Sequence, residues 1–199
     1  MVLHFYKKSF AVAYLFIPIV IVIFSSCQQY EYASPAPGTV SLRLRSYYTQ
    51  FDTLFSDNNF TLKVTEIKAV RSDGILANVY EDVKSIGPTP DIYNVLGRDA
   101  YDSALVIGQY PLPPGDYRGL IIKVEPGPRV ILDGYRSIPV EKLPSPLYSA
   151  TVVIAQGYRI EEARVTSLVI TVDLDVTLSK LAYSFVYIPR YFISSESIH

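Results

Sequence analysis

Alternation of apolar and polar residues is the feature that most constrains the fold of this chain. Between Leu168 and Leu178 every second residue is apolar. The opposite set is mostly polar and includes Thr171, Asp173, Asp175 and Thr177. Successive side chains of a β-strand point to opposite faces of a sheet, so this period of two predicts a strand with one buried face. No stretch after Cys27 shows the apolar stripe of a sustained amphipathic helix.

The same pattern recurs along the chain between turn signals. The predicted strands cover residues 39–45, 60–70, 75–80, 105–110, 120–124, 129–132, 135–140, 151–155, 167–178 and 183–193. Gly, Pro and Asp mark the connections at 72–74, 111–117 and 133–134, and the Asp133-Gly134 pair favours a two-residue hairpin. Short strands with turns at intervals of about 8 to 12 residues are typical of a β-sandwich. The sequence therefore predicts an all-β fold with one antiparallel-rich β-sandwich.

One segment interrupts this periodicity. Between Glu81 and Asp102 the alternation fades, and Gly87-Pro88-Thr89-Pro90 breaks any regular element. We predict a long loop here, with a short turn of helix from Ile92 to Leu96.

The N-terminus has the parts of a secretory signal peptide. Lys7 and Lys8 precede an apolar run from Phe10 to Phe24, and small residues follow before Cys27. The run has 15 residues, whereas a membrane-spanning helix needs about 20. We therefore predict that residues 1–26 are removed. The alternative is an uncleaved anchor helix that carries a lone thiol.

The position of Cys27 at the boundary between this run and the polar Gln28-Gln29-Tyr30-Glu31 resembles the lipobox of bacterial lipoproteins. The resemblance implies that Cys27 is the lipid attachment point and that acyl chains such as palmitate hold the protein at a membrane of the cell envelope, expected to be the outer membrane. Residues 27–37, with Pro35 and Pro37, are then a lipidated tether. Residues 38–193 form the predicted domain, and 194–199 a flexible C-terminal tail.

Charge and residue counts exclude several classes of function. Removal of the two signal lysines from 18 basic residues leaves 16 against 19 acidic ones, a formal charge of −3. No basic stripe with interleaved aromatics is present, so we predict no nucleic-acid binding. The two histidines are His4, in the signal, and His199, at the C-terminus. A Ser-His-Asp triad or a zinc site is therefore not expected, Cys27 has no disulfide partner, and we predict no cofactor and no metal.

Paired carboxylates are the remaining candidates for chemistry. Asp173 and Asp175 fall on one face of the predicted strand, about 6.5 to 7 Å apart. They could serve as the acid pair of a glycoside-active enzyme, take part in a calcium site, or form a solvated outer face. We favour the solvated face. Two other clusters, Asp57-Asn58-Asn59 and Asp99 to Asp102, are interpreted as turn chemistry.

Tyrosines in or near loops are the candidate binding residues. They are Tyr47, Tyr48, Tyr80, Tyr93, Tyr101 and Tyr110. An aromatic ring offers apolar area at low conformational cost while its hydroxyl stays hydrated, which suits recognition of a carbohydrate or a peptide. The alternative interpretation, which we favour, is that these rings fill the core and the sheet edges.

Two further resemblances concern the domain itself. Leu112-Pro113-Pro114-Gly115-Asp116-Tyr117 before an apolar strand resembles the strand entry of transthyretin-like and carboxypeptidase-regulatory-like sandwiches. The order of five segments is similar to the bacterial lipoprotein domain of unknown function numbered 4382; they are residues 38–42, 64–67, 113–117, 130–134 and 168–175. This resemblance implies an exported, lipid-anchored sandwich, transthyretin-like or immunoglobulin-like, and supplies no catalytic residues.

Together these observations predict a non-enzymatic lipoprotein of the cell envelope. It is expected to bind a glycan or another envelope protein, or to play a structural role, and to contact the membrane through its lipid. The alternative is an envelope enzyme that uses paired carboxylates on glycosides.

Overall fold

The computed structural model of the chain describes residues 34–51, 57–81, 92–142 and 151–198, and most of them lie in β-strands. In chain order the elements are β1 (Gly38–Tyr47), β2 (Thr61–Arg71), β3 (Leu76–Glu81), β4 (Ile92–Asn94), α1 (Arg98–Asp102), β5 (Leu105–Leu112), β6 (Gly115–Pro126), β7 (Arg129–Leu132), β8 (Arg136–Lys142), β9 (Thr151–Ile154), β10 (Tyr158–Ile160), β11 (Val165–Asp173), α2 (Leu174–Thr177), β12 (Leu178–Lys180), β13 (Phe185–Tyr187) and β14 (Tyr191–Ile198).

The strands of the described residues form three sheets. The first has the order β14-β11-β1-β5, the second β10-β6-β2-β3 with β4 also on β2 and β9 also on β6, and the third β12-β13-β8-β7. Most neighbours are antiparallel, whereas β1 pairs with β11 and β8 with β13 in parallel. The predicted all-β, antiparallel-rich, sandwich-like fold is confirmed.

Alternation along the strands builds the core. In β1 the side chains of Val40, Leu42 and Leu44 are buried, and those of Arg43 and Arg45 are exposed. The apolar residues that face β1 from its neighbours and from the second sheet join the same buried cluster; they include Leu168, Ile170, Val172, Leu62, Val64, Ile67, Leu120, Ile122 and Val124. Each fully buried side chain of this kind contributes about 1.5–3 kcal/mol by leaving water.

Two turns lie where their sequences predict them, but the one between β7 and β8 is longer than the predicted two-residue hairpin. Asp133 and Gly134 both have positive φ, 55° and 73°, in the connection between β7 and β8, although three residues rather than two separate the paired Leu132 and Arg136. Between β5 and β6 the Tyr117 hydroxyl donates to the Pro113 carbonyl at 2.8 Å, which closes the proline-rich turn.

The helical turn predicted from Ile92 to Leu96 is wrong. Ile92–Asn94 is a strand that pairs with the start of β2, and the helix begins later, at Arg98. The Asn94 side chain explains the change of direction, because its Oδ1 accepts from the amides of Phe60 (3.0 Å) and Leu96 (3.2 Å). Residues 82–91 of the predicted loop lie outside the described residues.

The strand predicted from Ser167 to Leu178 ends early. β11 stops at Asp173 and the next four residues form the helical turn α2. This turn reverses the predicted faces, since Thr177 is fully buried and Val176 is 48% exposed. The Asp173 side chain caps α2 by accepting from the Val176 amide at 3.4 Å.

The last predicted strand, Tyr183 to Ile193, is two strands. β13 ends at Tyr187, and β14 begins at Tyr191 after a segment that contains Pro189, which cannot donate to a ladder. β14 then continues to Ile198, where it pairs with Thr166 of β11. The residues predicted to form a flexible tail after Ile193 therefore extend the sheet up to Ile198.

Most of the N-terminal predictions fall outside the described residues. The signal peptide, Cys27 and the tether up to residue 33 are among them. Residues 34–37 are exposed and irregular, and the Ala36 amide donates to Glu162 Oε1 at 2.8 Å. Within the described ranges no helix is long and apolar enough to cross a membrane.

Candidate functional site

The outward face of the first sheet carries a groove. It has a volume of about 380 Å³, which is the lower range of small-ligand sites. The residues that line it define what we call the outer-sheet groove: Arg45, Ser46, Tyr47, Tyr101, Thr171, Phe192 and Ser194. They come from β1, α1, β11 and β14, so strand pairing and one short helix assemble the groove.

Three aromatic residues form its walls. Tyr47 and Phe192 are 48% and 45% exposed, which leaves much of each ring available to a ligand. Tyr101 reaches the groove from α1, and its ring packs against that of Tyr48 at a centroid distance of 4.9 Å. The walls of the groove are therefore aromatic, and the buried Tyr48 packs against one of them.

Tyr48 supports this surface from the core. It is 2% exposed, and its hydroxyl donates to the Leu96 carbonyl at 3.3 Å. Burial, and then the nearby Tyr101 and Asp102, raise the pKa of Tyr48 above its ordinary value. Its hydroxyl thus stays protonated at neutral pH and keeps its role as a donor.

Two hydroxyls lie between the aromatic walls. Thr171 Oγ1 donates to Ser194 Oγ at 2.7 Å, and Ser194 Oγ donates to the Val169 carbonyl at 3.3 Å. Ser194 stands at an irregularity of the β11–β14 ladder, because Val169 pairs with Ser195 and Ile170 pairs with Ile193. Bulges of this kind redirect a side chain, and here the bulge gives the groove a polar floor.

Arginines occupy the centre of the same face. Arg45 lies opposite Thr171 in the β1–β11 register, and its Nη2 donates to the Asp102 carbonyl at 3.4 Å. Arg43 is two residues earlier on the same face, opposite Val169 and Val106. Among the described residues neither arginine forms an ion pair.

The six predicted binding tyrosines have different positions. Tyr47 and Tyr101 meet in the outer-sheet groove although 54 positions separate them in the sequence. Tyr48 and Tyr93 belong to the core, as the alternative interpretation predicted. Tyr80 and Tyr110 pack against each other with centroids 6.2 Å apart and do not line the groove.

Phe192 is the site residue that sequence reasoning missed. It is the middle member of Tyr191-Phe192-Ile193, and its neighbours on either side are more buried. The sequence did offer one signal, because Phe192 is an aromatic residue at an outward position of an alternating strand. Its place beside the groove, however, follows only from its pairing with Thr171.

The predicted carboxylate pair does not form on a strand face. Asp175 lies in α2, and its carboxylate accepts from the Thr49 amide (2.8 Å), the Thr49 hydroxyl (2.7 Å) and the Gln50 amide (3.0 Å). Asp173 caps the same helical turn. Within the described ranges no group of three or more His, Cys, Asp or Glu residues is placed to hold a metal ion.

The bonds to Asp175 affect its titration. Partial burial alone would raise the pKa of Asp175, but the hydrogen bonds from the Thr49 side chain and from the Thr49 and Gln50 amides outweigh burial and hold the pKa below its ordinary value. The charged carboxylate therefore stabilises the fold by tying the segment after β1 to α2. Because β1 ends at Tyr47, this anchor also supports one wall of the groove.

We predict that Asp175→Asn lowers the free energy of unfolding at pH 7 by about 1 kcal/mol, a value that allows for solvent screening. A depressed folded-state pKa gives stability that is present above the unfolded pKa of about 3.9 and is lost as pH falls through the folded value. The difference between wild type and variant should thus shrink below about pH 4. Urea unfolding at several pH values measures it.

Asp99→Asn, a change at an exposed position in the first turn of α1, is the matched control. It should leave stability nearly unchanged at pH 7. A pH-independent loss in Asp175→Asn would contradict the proposed role of its charge.

The other two acidic or amide clusters take part in structural contacts, although Asp99 to Asp102 lies in the helix α1 and not in the predicted turn. Asn58 is buried, and its Oδ1 accepts from the Asp133 amide at 2.9 Å. Asp102 pairs with Arg98 one helical turn away, at 3.0 Å. None of the acidic or amide side chains of the two clusters lines the groove.

No known protein family, curated protein or solved structure matches this chain significantly. The resemblance to the lipoprotein domain of unknown function numbered 4382 therefore stays a prediction.

Proposed function

We propose that this chain is a lipid-anchored protein of the cell envelope that binds a glycan in the outer-sheet groove and does not catalyse a reaction. The main support is the position of three aromatic side chains, Tyr47, Tyr101 and Phe192, which line one groove. The hydroxyls of Thr171 and Ser194 and the guanidinium of Arg45 line the same groove. Aromatic rings provide apolar area for the C–H faces of a sugar ring. The polar groups between them satisfy its hydroxyls.

Support for the anchor comes from the sequence. The short apolar run that ends at Cys27 and the polar, proline-containing tether are the parts expected of a lipoprotein. A lipid at Cys27 would hold the domain at the outer membrane. Another envelope protein in the same groove is the competing partner.

The enzyme alternative has lost its main support. It depended on Asp173 and Asp175 as a pair on one strand face. Instead, the Asp173 carboxylate accepts from the Val176 amide of α2, and the Asp175 carboxylate accepts from the Thr49 and Gln50 amides after β1. General acid and base pairs on glycosides need two carboxyl groups that flank the scissile bond. Neither residue lines the outer-sheet groove.

The binding proposal predicts the effect of removing the groove aromatics. Tyr47→Ala and Phe192→Ala should each weaken glycan binding at least about ten-fold, or about 1.4 kcal/mol, because each removes a large exposed ring from the groove. Binding is measured on an array of bacterial and host glycans, followed by calorimetry with the best ligand. Both positions are half-exposed, so the fold should survive.

Tyr135→Ala is the control, since Tyr135 is 78% exposed in the turn between β7 and β8 and does not line the groove. It should bind like wild type. Equal affinities in the groove variants and the control would contradict the proposed site. Hydrolysis of any arrayed glycan would restore the enzyme alternative.

A further inference from the structure

We infer that the outer-sheet groove selects saccharides that carry a carboxylate, with Arg45 and Arg43 as the residues that recognise the charge. This inference rests on the proposed glycan-binding function and adds the chemical class of the ligand. The observation behind it is a pair of exposed arginines, free of ion pairs within the described part of the chain, beside an aromatic groove.

The spacing of the two arginines suits one anionic group. Residues i and i+2 of a strand project from the same face, about 6.5 to 7 Å apart along the backbone. Long side chains from such positions can converge on a single carboxylate. The planar guanidinium matches a carboxylate with two parallel hydrogen bonds, which gives direction as well as attraction.

The surroundings leave this charge uncompensated. Across the neighbouring strands Arg43 faces Val169 and Val106, and Arg45 faces Thr171, all of them neutral. The one hydrogen bond from Arg45, to the Asp102 carbonyl, is long at 3.4 Å and goes to a neutral group. Because the residues directly opposite the two arginines offer no counter-ion, an anionic ligand would supply the missing partner.

The rest of the chain argues against a general polyanion surface. The predicted mature chain has an excess of acidic residues, and Asp173 lies opposite Tyr47 on the same face as the arginines. The sheet face around the groove therefore has a cationic part at Arg43 and Arg45 and an anionic group, Asp173, opposite Tyr47. This polarity would orient a saccharide, with its carboxylate toward the arginines and its neutral rings along the aromatic walls.

The test compares saccharides that differ only in charge. The full-length protein, extracted in a neutral detergent, is titrated with tri-galacturonate and its methyl ester, and with sialyllactose and lactose. For at least one pair we expect the acid to bind at least ten-fold more tightly than its neutral counterpart. Arg45→Gln should remove most of this preference, and Arg43→Gln should reduce it, because each variant weakens binding of the acid more than binding of its neutral counterpart.

Arg129→Gln is the matched control, because Arg129 lies on β7 in the third sheet and donates to Ser137. It should keep the full preference. A preference that survives in the Arg43→Gln, Arg45→Gln double variant would overturn the inference.

The remaining outcomes separate the inference from the proposed function. Equal binding of acid and neutral saccharides, lost in Tyr47→Ala, would overturn the charge selection and leave glycan binding intact. Absence of binding to every saccharide on the array and in these pairs would overturn both. Stronger binding to phosphatidylglycerol than to phosphatidylcholine vesicles that is lost in the Arg43→Gln, Arg45→Gln double variant, without binding to acidic saccharides, would assign the arginines to a membrane surface and overturn the inference.

Discussion

Val172→Asp is expected to prevent the domain from folding. Val172 is fully buried in β11, where it pairs with Ser46 of β1 and Tyr191 of β14. A carboxylate at this position would lose its water without gaining a partner, at a cost of several kcal/mol. Domains of this size have a total stability of about 5–15 kcal/mol, so one such change removes much or all of it. Thermal unfolding followed by circular dichroism measures the loss.

The adjacent change Asp173→Val is the matched control. Asp173 is only partly buried and contributes the cap of α2, so its loss should cost about 1 kcal/mol. The two variants exchange the same residue types at neighbouring positions. Equal loss of stability in both would show that the inner face of β11 has been assigned to the wrong residues.

Cys27→Ala is expected to abolish lipid attachment and leave an uncut precursor. The thiol is the only cysteine in the chain, so no second position can accept the lipid. Each buried methylene of an acyl chain contributes about 0.8 kcal/mol to membrane binding, and two or more chains together give a stable anchor. Mass spectrometry of the membrane-extracted protein reports both the mass of the N-terminal peptide and its first residue.

Ser26→Ala provides the control, because it keeps the cysteine and replaces one small residue with another. It should be cut and lipidated like wild type. An unmodified Cys27 in the wild-type protein, or a mature N-terminus at another residue, would contradict the lipoprotein proposal.

The sequence predicted a strand correctly where apolar and polar residues alternate within a short segment. The burial of Val40, Leu42 and Leu44 against exposed Arg43 and Arg45 follows the pattern of the sequence, and the turns at 72–74 and 133–134 join the strands that they were predicted to join. In these segments side-chain period and turn chemistry act over a few residues, so neighbouring residues carry enough information.

Prediction failed where distant hydrogen bonds compete with the local pattern. The alternation from Leu168 continues through Leu178, yet the chain turns at Asp173 because Asp175 binds the amides of Thr49 and Gln50, more than a hundred positions away. The strand at Ile92–Asn94 likewise exists because β2 pairs with it. A short segment of sequence carries no information about such distant hydrogen-bond and strand partners.

The sequence by itself determined the β class, the buried face of β1 and the positions of the main turns. Only the tertiary structure decided which aromatics belong together. Tyr47, Tyr101 and Phe192 meet because β1 pairs with both β5 and β11, β11 pairs with β14, and α1 packs beside β1. The physical reason is that residue type and period fix which way a side chain points within its strand, whereas the order of strands in a sheet depends on long-range pairing and on burial of the whole core.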